Sequence, residues 1–151
     1  MKLAEALITR KEMYRKLSLL AERIQKNIIV QEGDEPVEDP NALMPELERL
    51  SQEVTELVQR INATNASTRL ENGMTIAQAL AKRDELIRLA GFFRSFADMG
   101  REGQVERYSK SEIKRVCTID VAATEHKADE LAKEARELDM AIQALNWQVE
   151  L

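Results

Sequence analysis

The amino-acid sequence predicts an all-α protein: two long antiparallel helical hairpins, arranged as a four-helix bundle or in coiled-coil-like fashion. Three observations carry this. Apolar residues recur at alternating steps of three and four over four segments. Gly and Pro fall mostly between those segments rather than inside them. Aromatic residues make up 4 % of the chain and charged residues 32 %, the balance usual for helical bundles. At 151 residues the expectation is a single domain spanning 1–151.

The first segment, about 2–28, places Leu3, Leu7, Arg10, Tyr14, Leu17, Ala21, Ile24 and Ile28 on one row; seven of these eight are apolar. Glu12 with Lys16, and Glu22 with Lys26, have the spacing at which opposite charges meet on a helix face. A loop at 29–41 follows, in which Glu32, Asp34, Glu35, Glu38 and Asp39 surround Gly33, Pro36 and Pro40. The second helix, about 42–66, begins between Pro40 and Pro45, because proline suits a first turn. Glu46 and Glu48 would then lie near its dipole-favoured start. Its row is Leu43, Leu47, Leu50, Val54, Leu57 and Ile61, continued by Thr64 and Thr68.

Residues 67–75 read as a loop around Asn72-Gly73, a tight-turn signal. Thr75 with Gln78 is a capping box opening a third helix at about 76–99, with Ile76, Leu80, Ile87, Ala90 and Phe93 inward. Gly100 and Gly103 are expected to end it. In the loop 100–120, Ile113, Val116, Cys117, Ile119 and Val121 have strand character, as do Ile28-Ile29-Val30, leaving room for a small β-hairpin near the loops. Asp120 is the expected N-cap of a last helix, about 121–149, with the row Ala128, Leu131, Ala135, Leu138, Ile142, Leu145 and Val149.

Charge alternates between neighbours. Residues 2–28 hold seven bases and three acids, and 42–61 hold two bases and four acids; 76–98 hold four and three, and 121–147 hold three and six. Sequential helices are therefore complementary, which is consistent with two antiparallel hairpins. The core or interface rows are expected to centre on Leu17, Ile24, Leu47, Leu50, Val54, Leu57, Leu131, Leu138, Ile142 and Leu145. Long helices with narrow rows favour a homo-oligomer, a dimer or higher, with a protein partner as a further option. Phe92, Phe93, Phe96 and Trp147 read as core or interface residues.

The net charge of −5 argues against nucleic acid as a partner. The longest apolar run, Leu89 to Phe93, is too short to span a bilayer. The start of the chain has no apolar leader and Cys117 stands alone, which fits a reducing, cytoplasmic setting. No cofactor motif is present, and no catalytic residue can be named.

Three polar clusters stand out against this background. Asp34, Glu35 and Glu38 offer oxygens to a hard cation, though without the EF-hand pattern; a solvated turn explains them more simply. Asn62, Thr64, Asn65 and Arg69 continue an apolar row with amides and hydroxyls, as a ligand pocket or as a self-capped helix end. Tyr108, Ser109, Ser111, Glu112 and Lys114, in a run with four bases, suit an anion or an exposed loop. Arg83 and Asp84 would join the site if they face the same end, or form a surface ion pair. His126 with Asp129 and Glu130 reads as a solvated face, because Ala123 stands where a di-iron bundle needs Glu.

The motifs Glu32-Gly33-Asp34-Glu35-Pro36, Ile61-Asn62-Ala63-Thr64-Asn65, Ala79-Leu80-Ala81-Lys82-Arg83-Asp84 and Arg107-Tyr108-Ser109-Lys110-Ser111-Glu112-Ile113-Lys114, with Asp139 and Leu145-Asn146-Trp147, resemble the septicolysin-like family. That resemblance implies a small bacterial helical protein without established activity, and its name suggests a lytic role. The function expected is a self-associating structural or protein-interaction bundle. The alternative is a small-ligand-binding or enzymatic bundle with a polar site at helix ends.

Overall fold

A computed structural model describes residues 1–105 and 114–151. The first helix, α1, runs Leu3–Asn27, and the second, α2, runs Pro40–Ser67. Neither contains glycine, and each carries an apolar row every three or four residues. They pack against each other as an antiparallel hairpin. The third, α3, runs Ile76–Val105, and the fourth, α4, Val121–Asn146. The fold is all-α, as the sequence predicts. The chain forms two compact units, one of Met1–Thr68 with Ala144–Leu151 and one of Arg69–Gln143.

In the first unit, α2 buries the row expected of it: Val54, Leu57 and Ile61 are buried, and Leu43, Leu47, Leu50 and Thr64 are half-buried. Its start is earlier than predicted. Asp39 accepts a hydrogen bond from the Asn41 N–H (3.0 Å) and caps a helix whose first residue is Pro40. Pro45 therefore sits past the first turn, and Glu46 and Glu48 lie beyond the end charged by the dipole.

The row that α1 buries differs from the predicted one. Leu3, Ala4, Ala6, Leu20 and Ile24 are buried; of the predicted row, Leu7, Arg10, Leu17 and Ala21 are half-buried, and Tyr14 and Ile28 are exposed. Two adjacent rows of α1 are apolar, and pairing selects the one stepping three before four. The unit closes at the chain ends. The Leu3 N–H donates to Val149 O (2.9 Å), and the Leu151 N–H donates to Met1 O (2.9 Å). Glu150 bridges Lys2 (2.7 Å) and the terminal ammonium (2.9 Å). These hydrogen bonds hold its carboxyl down at about 2, so Glu150 is ionised at any ordinary pH. α4 consequently ends at Asn146, short of the predicted 149, and Trp147 is exposed.

In the second unit, the turn before α3 forms as expected. Gly73 takes φ of 83°, and Leu70 N–H donates to Met74 O (2.8 Å). The capping box closes through Gln78 N–H to Thr75 Oγ1 (3.1 Å) and Thr75 N–H to Gln78 Oε1 (2.9 Å). α3 then buries Ile76, Ala79, Leu86, Ala90 and Ala97, with Arg83 and Phe93 half-buried in the same row. Ile87, predicted inward, is exposed, because the row in use steps to Leu86. Phe92 and Phe96 are exposed and stack on each other at 6.5 Å, while Phe93 packs on a core of Leu86, Ala90, Leu131 and Ala135. α4 keeps its predicted row, opening on Asp120, whose Oδ1 accepts from the Ala123 N–H (2.9 Å).

Two further expectations are corrected. Gly100 does not end α3; the helix continues past it to Val105. A Cβ at Gly100 would lie 2.8 Å from Val121 Cγ2 and 3.2 Å from Cys117 Sγ, so glycine lets the 117–121 segment lie against the helix. No strand occurs among the described residues. Residues 28–31 and 114–120 are irregular and Ile29 and Val116 are highly exposed; β-branched side chains make a strand only where a partner pairs with it. Ile113 lies outside the described residues.

The glycines of α3 make a test. Gly91 has nothing within 4 Å of an added Cβ. Gly91→Ala should raise the unfolding free energy by about 0.5–1 kcal/mol. Gly100→Ala, in the same helix, should lower it by about 1–3 kcal/mol through overpacking. Urea denaturation of both variants checks the opposite signs.

Candidate functional site

Polar residues that the helical rows leave over fall into a few groups. In the second unit, α3 and α4 run antiparallel, and bases of one meet acids of the other: Arg83 with Asp139 (2.7 Å), Arg94 with Asp129 (3.0 Å) and Arg101 with Glu125 (2.8 Å). Arg83 differs from the others by standing in the apolar row itself. Its Nη1 donates to Asp139, and its Nε and Nη2 donate to Asp84 at 3.1 and 3.0 Å. The two carboxylates raise the already high pKa of the guanidinium, its hydrogen bond to Asp139 contributing most. One fixed cation satisfied by two carboxylates is suited to setting helix register, and its donors are largely spent.

Arg69 is likewise engaged. Its Nη1 donates to Gly73 O (2.7 Å) across the turn, beside the isolated bridge between Arg69 and Thr75. Lys114 is exposed. Tyr108, Ser109, Ser111 and Glu112 lie outside the described residues. Phe96, Met99, Gly100, Gly103, Cys117 and Ile119 line an open apolar cleft in this unit, with the Cys117 thiol donating to Ile119 O (3.4 Å).

In the first unit, Asn62 is exposed on α2, and Thr64 and Asn65 are half-buried. Their side chains make no hydrogen bond among the described residues, whereas Ser67 Oγ donates back to Ala63 O (2.9 Å), closing the helix end from within. Asn146 is 3 % exposed, and its Oδ1 has no partner among the described residues, an acceptor that periodicity could not have flagged. The acidic loop is partly committed. Glu38 binds Arg23 through both oxygens, a contact that lowers the Glu38 pKa and raises that of Arg23. The Glu38 N–H also donates to Asn27 Oδ1 (3.1 Å). Asp34 and Glu35 are exposed. Among the described residues no three His, Cys, Asp or Glu side chains group as metal ligands would. His126 pairs with Glu130 (3.2 Å) on an exposed face.

The geometry defines a class: a small all-α protein of antiparallel helical hairpins, without a catalytic or metal-binding constellation among its described residues. The chain belongs to a family of unknown function, DUF6847, whose model matches residues 10–151. It is similar along its whole length to a functionally unknown conserved protein from Corynebacterium diphtheriae of known crystal structure. Identity is 46 %, all of this chain and 98 % of that one are covered, and the TM-score is 0.89. No curated protein matches the chain.

If Arg83 sets register, its loss is felt in stability. Arg83→Ala should cost about 1–2 kcal/mol, since Asp139 is left half-buried without its partner. Asp84→Ala, removing an exposed carboxylate, should change stability by less than about 0.5 kcal/mol. Thermal unfolding of the two variants compares them directly.

Proposed function

We propose that the protein acts by association, as a self-associating helical interaction protein rather than as a centre of chemistry. What supports the reading is the uneven burial of the first hairpin. Leu3 and Ile61, at its closed end, are fully buried, whereas Tyr14 is 51 % exposed and Met44 42 % exposed farther along. Leu17, Leu47 and Leu50, expected at a core or interface, are half-buried there. Apolar side chains left in water on two adjacent helices are the ordinary mark of a surface that another chain covers.

Among the described residues no helix is long and apolar enough to cross a membrane. Light scattering across the micromolar range should give twice the 17.2 kDa of one chain, or a higher multiple. A mass of 17.2 kDa at every concentration would defeat the proposal.

A further inference from the structure

The apolar face of α1 is wider than one neighbour covers. Beside the row turned to α2 lies a second, one step around the helix, in which Tyr14 is exposed and Leu7 and Ala21 are half-buried. On α2, Met44 and Ser51 flank Leu47 in the same way. Between the two helices runs a shallow groove lined by Leu17, Ser18, Ala21, Leu47, Glu48 and Ser51. We propose that this face is where a second copy of the chain docks, α1 of one copy lying over α2 of the other to complete a four-helix arrangement. The inference rests on the self-association proposed above and assigns its surface and its partner.

Size, shape and charge favour a second copy. About 20 residues of two helices, roughly 30 Å long and 20 Å wide, offer on the order of 600 Å² per copy. A stable interface uses about 800 Å² per partner, so the face is of the right scale. Its surface also holds both knobs and holes. Tyr14 and Met44 project beside the small Ser18, Ala21 and Ser51, and a twofold axis brings one set onto the other.

Charge fixes which helix meets which. α1 carries six bases and three acids, and α2 two bases and four acids. Yet among the described residues no ion pair joins α1 to α2, in contrast to the three that join α3 to α4. Arg23 does pair, but with Glu38 in the connecting loop. The complementarity of α1 and α2 is therefore largely unspent within one chain. Lys11 edges the open face on α1 and Glu48 edges it on α2, both exposed. A twofold axis parallel to the helices sets the basic helix of one copy against the acidic helix of the other. An axis across them would stack base on base and acid on acid.

The parallel axis has a consequence for residue pairs. Leu17–Ala21 and Leu47–Ser51 line one groove at the same height, so rotation about that axis carries Ser51 of one copy opposite Ser18 of the other. The test uses full-length chains in a Cys117→Ser background, one with Ser18→Cys and one with Ser51→Cys, each oxidised alone and as an equal mixture. The mixture should give severalfold more disulfide-linked dimer than either variant alone. In parallel, the exposed pair Tyr14→Glu with Met44→Glu should lower the solution mass to that of one chain while far-UV dichroism is unchanged. If the parent chain is a dimer, but the glutamate variant is equally dimeric and the mixture gives no excess, this face is the wrong one and self-association stands. A parent that is monomeric throughout overturns both.

Discussion

A helix can turn a single row of side chains toward a single neighbour, and α1 has more apolar surface than one row. That constraint organises the first unit. In the folded unit α1 buries Leu3, Ala4, Ala6, Leu20 and Ile24, and each fully buried Leu or Ile contributes about 1.5–3 kcal/mol. The same packing leaves Tyr14 and Ile28 in water. The clasp of Glu150 with Lys2 and the backbone bonds between residues 1–3 and 149–151 close one end, where Leu3, Ile61 and Asn146 are out of solvent. Away from that end the hairpin has two helices' worth of apolar surface and one helix pair to cover it.

The second unit resolves the same problem differently. Its inward row is rich in alanine, with Ala79, Ala90, Ala97, Ala128 and Ala135 buried, while Ile87, Phe92 and Phe96 stay exposed on the other side of α3. Register is supplied by charge. Arg83 interrupts the apolar row, and only a carboxylate at the level of Asp139 satisfies it on the facing helix; any slip leaves a half-buried guanidinium without that bond. Gly100 adds a steric determinant, because nothing larger admits Val121 and Cys117 against the helix.

Much of this was legible in the sequence, and the limits have physical causes. The rows of α2 and α4 are apolar at one phase, so their buried residues could be read directly. In α1 and α3 two neighbouring phases are both apolar, and the neighbour's position chooses between them; hence Tyr14 and Ile87 were expected inward. The capping box at Thr75 and the cap at Asp120 are local chemistry and held to the residue. Gly100 carries the signature of a helix stop and serves packing instead, a distinction that needs the other segment in view. Among the polar candidates, Arg69, Arg83 and Glu38 proved to have partners within the fold, which spacing along the chain cannot show. Asn146 was legible only as part of the Leu145-Asn146-Trp147 motif; its burial left no mark in the spacing, because a lone amide in an apolar row has no pattern.

The centre of this picture is that the half-covered face of the first hairpin is where copies meet. Hydrogen exchange of the intact chain at low and high concentration tests that most directly. Amides of 14–21 and 44–51 should gain protection as concentration rises, while those of 84–92, on α3, should not. Protection at 14–21 and 44–51 that is independent of concentration, across a range in which the mass doubles, would place the contact elsewhere and contradict it.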